Sequence, residues 1–230
     1  MKRSRSECDL KSCLLCRSCL KEWIPAIAAQ KTNIFIRKGQ SVFTEGEKVR
    51  GIFFIYSGLV KVHKKWDDEK ELIIRFARQG EIIGHMGLGD EGTYPVTATA
   101  LEPAVVCYID SEFFETTLKV NNDLTYKLLR LFANELQESE KRMRNLVHMP
   151  VKTRIAQAFL SLAGQFGIDN DGWIGVEITR QDISSFAGTS YETLFKVIND
   201  FTEDGLIGVS GKKIRIINEA ALREITTRTD

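Results

Sequence analysis

Between residues 33 and 110 the apolar positions come in short β-branched and aromatic runs, SVFTEGE, GIFFIYSGLVKVH, KELIIRFARQGEIIG and YPVTATALEPAVVCYI, punctuated by glycine. Leu59, Val60, Lys61, Val62 and His63 give one apolar and one wetter face, the two-residue period of a strand, and Gly39, Gly46, Gly58, Gly80 and Gly84 fall where turns need positive φ. An antiparallel roll or barrel is expected there. The pattern changes at residue 111: neither glycine nor proline occurs through residue 147, and helix formers dominate, so one long helix is predicted. Leu129, Phe132, Leu136, Ser139, Met143 and Leu146 recur along it at steps of three and four, the a/d row of a coiled coil. The flank bearing Glu135, Glu138, Lys141, Arg142 and Arg144 is too polar to be buried as well. The row is therefore expected to meet its copy in a parallel homodimer rather than the β-region of its own chain. Ser139, polar inside that row, keeps such a seam marginally stable and switchable.

Pro150 suits a stop and restart, since the residue before proline avoids the α region and proline itself suits a first helical turn. Beyond it VKTRIAQAFLSLAGQFG is amphipathic through Ile155, Phe159 and Leu162, DNDGW reads as a turn, and GWIGVEI reads as a strand. Thr179 can cap a short helix RQDISSFA with Asp182 at its third position, and Gly188 breaks it. Ser190 caps a second helix, YETLFKVINDFTEDG, with Leu194, Val197, Ile198 and Phe201 on one face and Gly205 at its end. Helix, glycine turn and helix make a helix-turn-helix, and LIGVSGKKIRII adds a hairpin beside it, a wing. The chain is thus expected to be α+β, divided into a cysteine-containing segment (1–32), a β-roll (33–118), a dimerisation helix (119–148) and a winged helix-turn-helix (149–230).

A major groove admits one helix, and base edges are read by side chains from its first turns. Here these are Tyr191, Glu192, Phe195 and Lys196, on the face opposite Leu194, Val197 and Ile198. Glu192 can accept from cytosine N4, Lys196 can donate to guanine O6 or N7, and Phe195 can either touch a thymine methyl or cover the turn. Thr179, Gln181, Ser190, Lys212 and Lys213 are the candidate phosphate contacts, which position without specifying sequence. For the lysines the bland alternative is a solvated hairpin.

Composition adds limits. The 230 residues, 43% of them hydrophobic, suffice for two modest domains. No apolar run approaches the roughly 18 residues of a membrane span. The start, MKRSRSECDL, lacks the apolar stretch of a signal peptide, so a cytoplasmic protein with no membrane partner is expected. The net charge of +1 neither selects nor excludes nucleic acid, because affinity depends on where basic groups sit. In a reducing compartment the close set Cys8, Cys13, Cys16 and Cys19 reads as a metal or redox site ahead of a disulfide framework.

ITRQDISSFAGTSYETLFKVINDFTEDGLIGVSGKKIRI resembles the DNA-binding domain of Crp/Fnr regulators. FIRKGQSVFTEGE, IFFIYSGLVKV and GEIIGHMGLGDEG resemble their cyclic-nucleotide-binding-type β-roll, and the likeness covers nearly the whole chain. It implies a homodimeric transcription regulator that binds palindromic operators in double-stranded DNA, works with RNA polymerase, and passes a signal from the roll through its long helices. The Glu and Arg with which family members read DNA match Glu192 and Lys196; lysine for arginine weakens bidentate guanine recognition. Cyclic-AMP binders carry a glutamate and an Arg-Ser pair where this chain has His85 and Pro95-Val96, which argues against cyclic AMP, because a buried phosphodiester would lack its cation. His85 as a haem ligand is a weaker alternative.

The stretch around Cys107 resembles the Fnr branch near its internal ligand cysteine. Cys13, Cys16 and Cys19, chosen for compactness, plus Cys107 would supply the four thiolates of an accessible, oxidant-labile [4Fe–4S] cluster, with Cys8 as a substitute ligand. Fnr-type sensors show C-x2-C-x5-C, whereas this chain has two successive two-residue gaps. Zinc would accept the same thiolates, and a merely buried Cys107 is the inert alternative. A regulatory subunit that uses such a roll to control a kinase or channel is the competing class; the winged module and the lost phosphate pocket speak against it. No paired carboxylates, Ser/His set or P-loop points to an enzyme, and His63, His85 and His148 are scattered.

Overall fold

The computed structural model describes residues 2–3, 13–67 and 70–227. Two compact units divide the chain, residues 1–137 and 138–230.

In the first unit two antiparallel sheets face each other. One has the order β1 (Lys2–Arg3), β2 (Thr32–Ile36), β9 (Ala104–Asp110), β4 (Gly51–Ser57) and β7 (Ile82–Ile83); the other has β3 (Ser41–Phe43), β8 (Thr97–Ala100), β5 (Val60–Lys65) and β6 (Glu71–Ala77). This is the expected antiparallel roll. Gly58 turns the β4–β5 connection at φ 91°, and a Cβ there would sit 2.7 Å from Ala104 Cα, so glycine is required. Alternation divides β4 and β9 between two cores. Phe53, Ile55 and Val106 point between the sheets, whereas Ile52, Phe54, Cys107 and Ile109 point to a helical layer. Burial on both faces explains why GIFFIYS is apolar almost throughout.

That helical layer consists of α1 (Leu14–Ser18), a 3₁₀ turn, α2 (Ile24–Gln30), α3 (Ser111–Val120) and the start of α4 (Asn122–His148). The single helix predicted over 111–147 is two helices. Asn121 breaks it at φ −118° and ψ 78°, with its amide buried. Its Oδ1 accepts from Leu20 N at 2.8 Å and its Nδ2 donates to Thr117 O at 2.8 Å. Trp23 Nε1 donates to Thr117 Oγ1 at 3.1 Å, and the Trp23 ring stacks on Phe113 at 6.0 Å. The side chain of Asn121 thus fastens the cysteine-containing segment to the α3–α4 junction, a long-range bond that helix propensity does not reveal.

In the second unit α5 (Val151–Phe166), α6 (Arg180–Ala187) and α7 (Tyr191–Glu203) precede a hairpin of β10 (Ile207–Ser210) and β11 (Lys213–Ile216), and α8 (Glu219–Thr227) follows. The predicted caps are present: Thr179 Oγ1 accepts from Asp182 N at 3.0 Å and Ser190 Oγ from Thr193 N at 3.2 Å, each contributing about 1 kcal/mol. Gly188 takes the left-handed conformation, φ 66°, between α6 and α7. Phe159 and Phe201 meet edge to face in the core, 6.5 Å apart. GWIGVEI is not a strand. Only isolated bridges, Ile168 to Ile174 and Trp173 to Arg215, occur there, because Gly175 folds so close to Phe166 that a Cβ would lie 2.5 Å from its carbonyl oxygen. The sequence reading also missed α8, whose Leu222 is buried.

Candidate nucleic-acid interface and thiol core

All four predicted base-reading residues lie on the outer face of α7. Tyr191, Glu192, Phe195 and Lys196 are exposed, Phe195 by 53%, while Leu194, Val197, Ile198 and Phe201 are buried beneath them. An unburied phenylalanine one position from a fully buried leucine follows from a 100° turn per residue, not from the hydrophobic effect, and leaves an apolar group free to meet a ligand. Hydrogen bonds from its own N–H and from Ser190 hold the Glu192 carboxyl below its ordinary range, so it is an ionised acceptor at neutral pH.

Among the phosphate candidates, Gln181, Ser190, Lys212 and Lys213 are exposed, with Lys213 Nζ 3.7 Å from Glu177 Oε1. Thr179 is engaged in its cap, and its hydroxyl also donates to Asp182 Oδ2. Arg180 and Arg154 escaped the sequence reading, and Arg142, read there as part of an unburied polar flank, is half-buried. Arg180 donates to the carbonyls of Gly211 (3.1 Å) and Lys212 (3.4 Å), fixing the wing against the start of α6. Arg154 donates to Met149 O (2.9 Å), Ala187 O (3.2 Å) and Gly188 O (3.0 Å), joining the end of α4 to the turn before α7. Arg142 donates to Phe186 O at 2.9 Å and lies 4.8 Å from the centre of its ring. Burial lowers the pKa of all three, yet a guanidinium stays charged. Carbonyl targets leave no trace in side-chain pattern.

On α4 the six seam positions divide. Leu129, Leu136, Ser139 and Met143 are exposed, as are Tyr126 and Val147, whereas Phe132 and Leu146 are half-buried. Phe132 packs against the first unit's helical core, 5.2 Å from the His85 ring. His85 is buried, and its Nε2 lies 2.8 Å from Glu135 Oε2. Burial pushes the Glu135 carboxyl up, but the His85 hydrogen bond and charge, with Arg75 Nε 3.4 Å from Oε1, outweigh it and keep the pKa below its ordinary value.

The four described cysteines come together in one core. Cys13 (3% exposed), Cys16 (7%) and Cys107 (2%) are buried with Leu15, Phe54 and Phe114, and half-buried Cys19 packs against them. Cys13 caps α1 through its sulfur, which accepts from Cys16 N at 3.4 Å, and Cys19 is the cap at the other end. Burial first, and the neighbouring Cys13 second, push the Cys19 thiol up to about 11. The thiols are interior, not at the accessible surface that the sequence suggested. Among the described residues no group of three or more His, Cys, Asp or Glu is arranged to hold a metal ion, and Cys8 lies outside the described residues. Nor is any described helix long and apolar enough to cross a membrane.

Two family models match the chain, the cyclic nucleotide-binding domain over residues 34–121 and the Crp-like helix-turn-helix domain over 153–225. The cAMP-activated global transcriptional regulator CRP of Salmonella typhimurium is 33% identical over 175 residues, 74% of this chain and 82% of that protein. The transcriptional activator protein FnrA of Stutzerimonas stutzeri is 28% identical over 81% of this chain and 77% of its own. In fold the chain is similar to FixK2 from Bradyrhizobium japonicum, with a TM-score of 0.76, 21% identity, and coverage of 87% of this chain and 99% of that one. The CRP and FnrA relatives are transcription regulators, not enzymes. With a roll and an outward-facing second helix both present, and a CRP relative matched over most of its length, the chain belongs to the Crp/Fnr family of DNA-binding transcription regulators.

Proposed function

We propose that the chain acts as a homodimer that reads DNA through α7 and responds to oxidants through its thiol core. The exposed quartet on α7 carries the DNA reading. Glu192 accepts from cytosine N4, Lys196 donates to guanine, and Phe195 meets a thymine methyl, while Gln181, Ser190, Lys212 and Lys213 hold phosphates and Thr179 orders the first turn of α6. The exposed row on α4 supports the dimer: Leu129, Leu136 and Met143 recur every seven residues beside Tyr126 and Val147, with Ser139 at its edge. Two such heads suit the half-sites of a palindromic operator, about 34–36 Å apart, with RNA polymerase as the downstream partner of the bound dimer.

Cys13, Cys16, Cys19 and Cys107 would hold a [4Fe–4S] cluster, with Cys8 as a substitute ligand. The donor set is what supports this: Cys13, Cys16 and Cys107 are buried in one core and Cys19 packs against it, and drawing the four into a ligand shell requires the cysteine turn to rearrange and the thiols to ionise. When bound, the cluster supplies a redox-active group that oxidants attack. The chain's own residues carry the response: Asn121 and Thr117 tie the cysteine turn to the α3–α4 junction, so rearrangement of that turn pulls on the root of the seam helix. A cyclic-nucleotide effector does not fit, because His85 is held by Glu135 and Pro95-Val96 offers no cation. Anaerobic purification with absorption spectroscopy, metal assay and DNA-binding anisotropy before and after air tests the proposal. About four irons per chain and an air-sensitive affinity are expected. Zinc in place of iron, or equal affinity in air, overturns the sensing role; no affinity for duplex DNA at low salt overturns the whole reading.

A further inference from the structure

A cavity of about 480 Å³ opens at one end of the β-roll, within the size range of small-molecule sites. Its inner surface is aromatic. Phe43 stacks on Tyr94 at 4.1 Å and on Phe53 at 5.7 Å, and Phe53 lies 5.3 Å from Tyr108. Both phenol hydroxyls are engaged, Tyr94 donating to Gly51 O and Tyr108 to Arg50 O, each at 2.7 Å, so the rings stand fixed as an apolar wall. The mouth is charged: Glu47, Lys48 and Arg50 are exposed there, and neither cation makes an ion pair among the described residues. Two cations and one carboxylate leave a single net positive charge. His85, Pro95 and Val96, which match the cyclic-nucleotide-binding positions of relatives, do not line this cavity, and neither does α4.

We propose that this cavity binds a mono- or bicyclic aromatic carboxylate, its ring against Phe43, Phe53 and Tyr94 and its carboxylate on Lys48 and Arg50. A flat apolar body matches the fixed aromatic and aliphatic lining, and one negative charge matches the net charge of the mouth. Glu47 disfavours dianions such as phosphate esters. The site does not depend on the thiol core or on DNA binding.

Calorimetric titration of the full chain with phenylacetate and indole-3-acetate tests this, with benzyl alcohol as the neutral analogue and phenyl phosphate as the dianion. Either acid should bind at least about tenfold more tightly than both controls. The double variant Lys48→Gln, Arg50→Gln, confined to exposed side chains, should lose about tenfold or more. Ile34→Trp, which fills the cavity and keeps the cations, should abolish binding while DNA affinity and circular dichroism are retained. Failure of both acids to bind, equal binding of benzyl alcohol, or unchanged affinity in the double variant each overturns the proposal. An Ile34→Trp protein that still binds overturns the location.

Discussion

On α7 the four candidate reading residues stand outside a core of Leu194, Val197, Ile198 and Phe201, whereas at α1 the candidate ligands Cys13 and Cys16 are themselves core. One region separates chemistry from packing along a single helix, so its function is written in a 3.6-residue period. The other merges them: Cys107 shares a core with Cys13 and Cys16 only because β9 alternates and its odd face is covered by helices from the beginning and middle of the chain. Mutations should therefore separate stability from function on α7 and fail to do so around the thiols.

The largest effect that would break this contrast is in the second unit. Phe159→Ala should destabilise by about 3–5 kcal/mol in urea unfolding, whereas Phe195→Ala should change stability by less than about 0.5 kcal/mol and still alter DNA affinity. A Phe195→Ala protein as unstable as Phe159→Ala would mean that α7 has no purely functional face. Asn121→Ala leaves Leu20 N–H without its partner and should cost about 1–3 kcal/mol while speeding alkylation of Cys16, since the turn and the junction come apart together. Lys196→Ala should lose about 1–3 kcal/mol of discrimination at one base pair with no change in unfolding midpoint, read by anisotropy over a panel of single-base variants. Lys212→Ala should weaken binding evenly across sequences and reduce the salt slope by about one.

Acid provides a further check confined to the roll. Chiefly the His63 hydrogen bond, against burial and with Lys61 assisting, holds the Glu71 carboxyl down to about 2, below its ordinary 4.5. A depressed carboxylate stabilises above its unfolded pKa, so this contribution is present above about 4.5 and is lost as pH falls toward 2. Glu71→Gln should flatten the stability profile of the first unit over that window and leave the reading helix unaffected.

Much of the second unit was legible because its signals are local. Thr179 with Asp182, Gly188, and Ser190 with Thr193 each act within a few residues. Apart from α8, whose Asn218 cap is a local signal, the misses were non-local. Asn121 looked like a helix residue until Leu20, about a hundred positions earlier, gave its side chain a partner. GWIGVEI had strand composition, but Gly175 is pressed against Phe166. Phe132 fitted the a/d row, yet it turns toward His85, which leaves Leu129, Leu136 and Met143 as the outward row.

By itself the sequence determined where the roll alternates, where α6 and α7 are capped and which side chains of α7 face outward, because those outcomes depend on neighbours within one or two turns. Tertiary structure alone decided that four cysteines share a core, that Arg154 and Arg180 spend their charge on backbone carbonyls, and that an aromatic cavity opens beside Lys48 and Arg50. Each of these is a meeting of distant segments, set by how sheets and helices bury their remaining faces, and no periodicity within a segment encodes its partner.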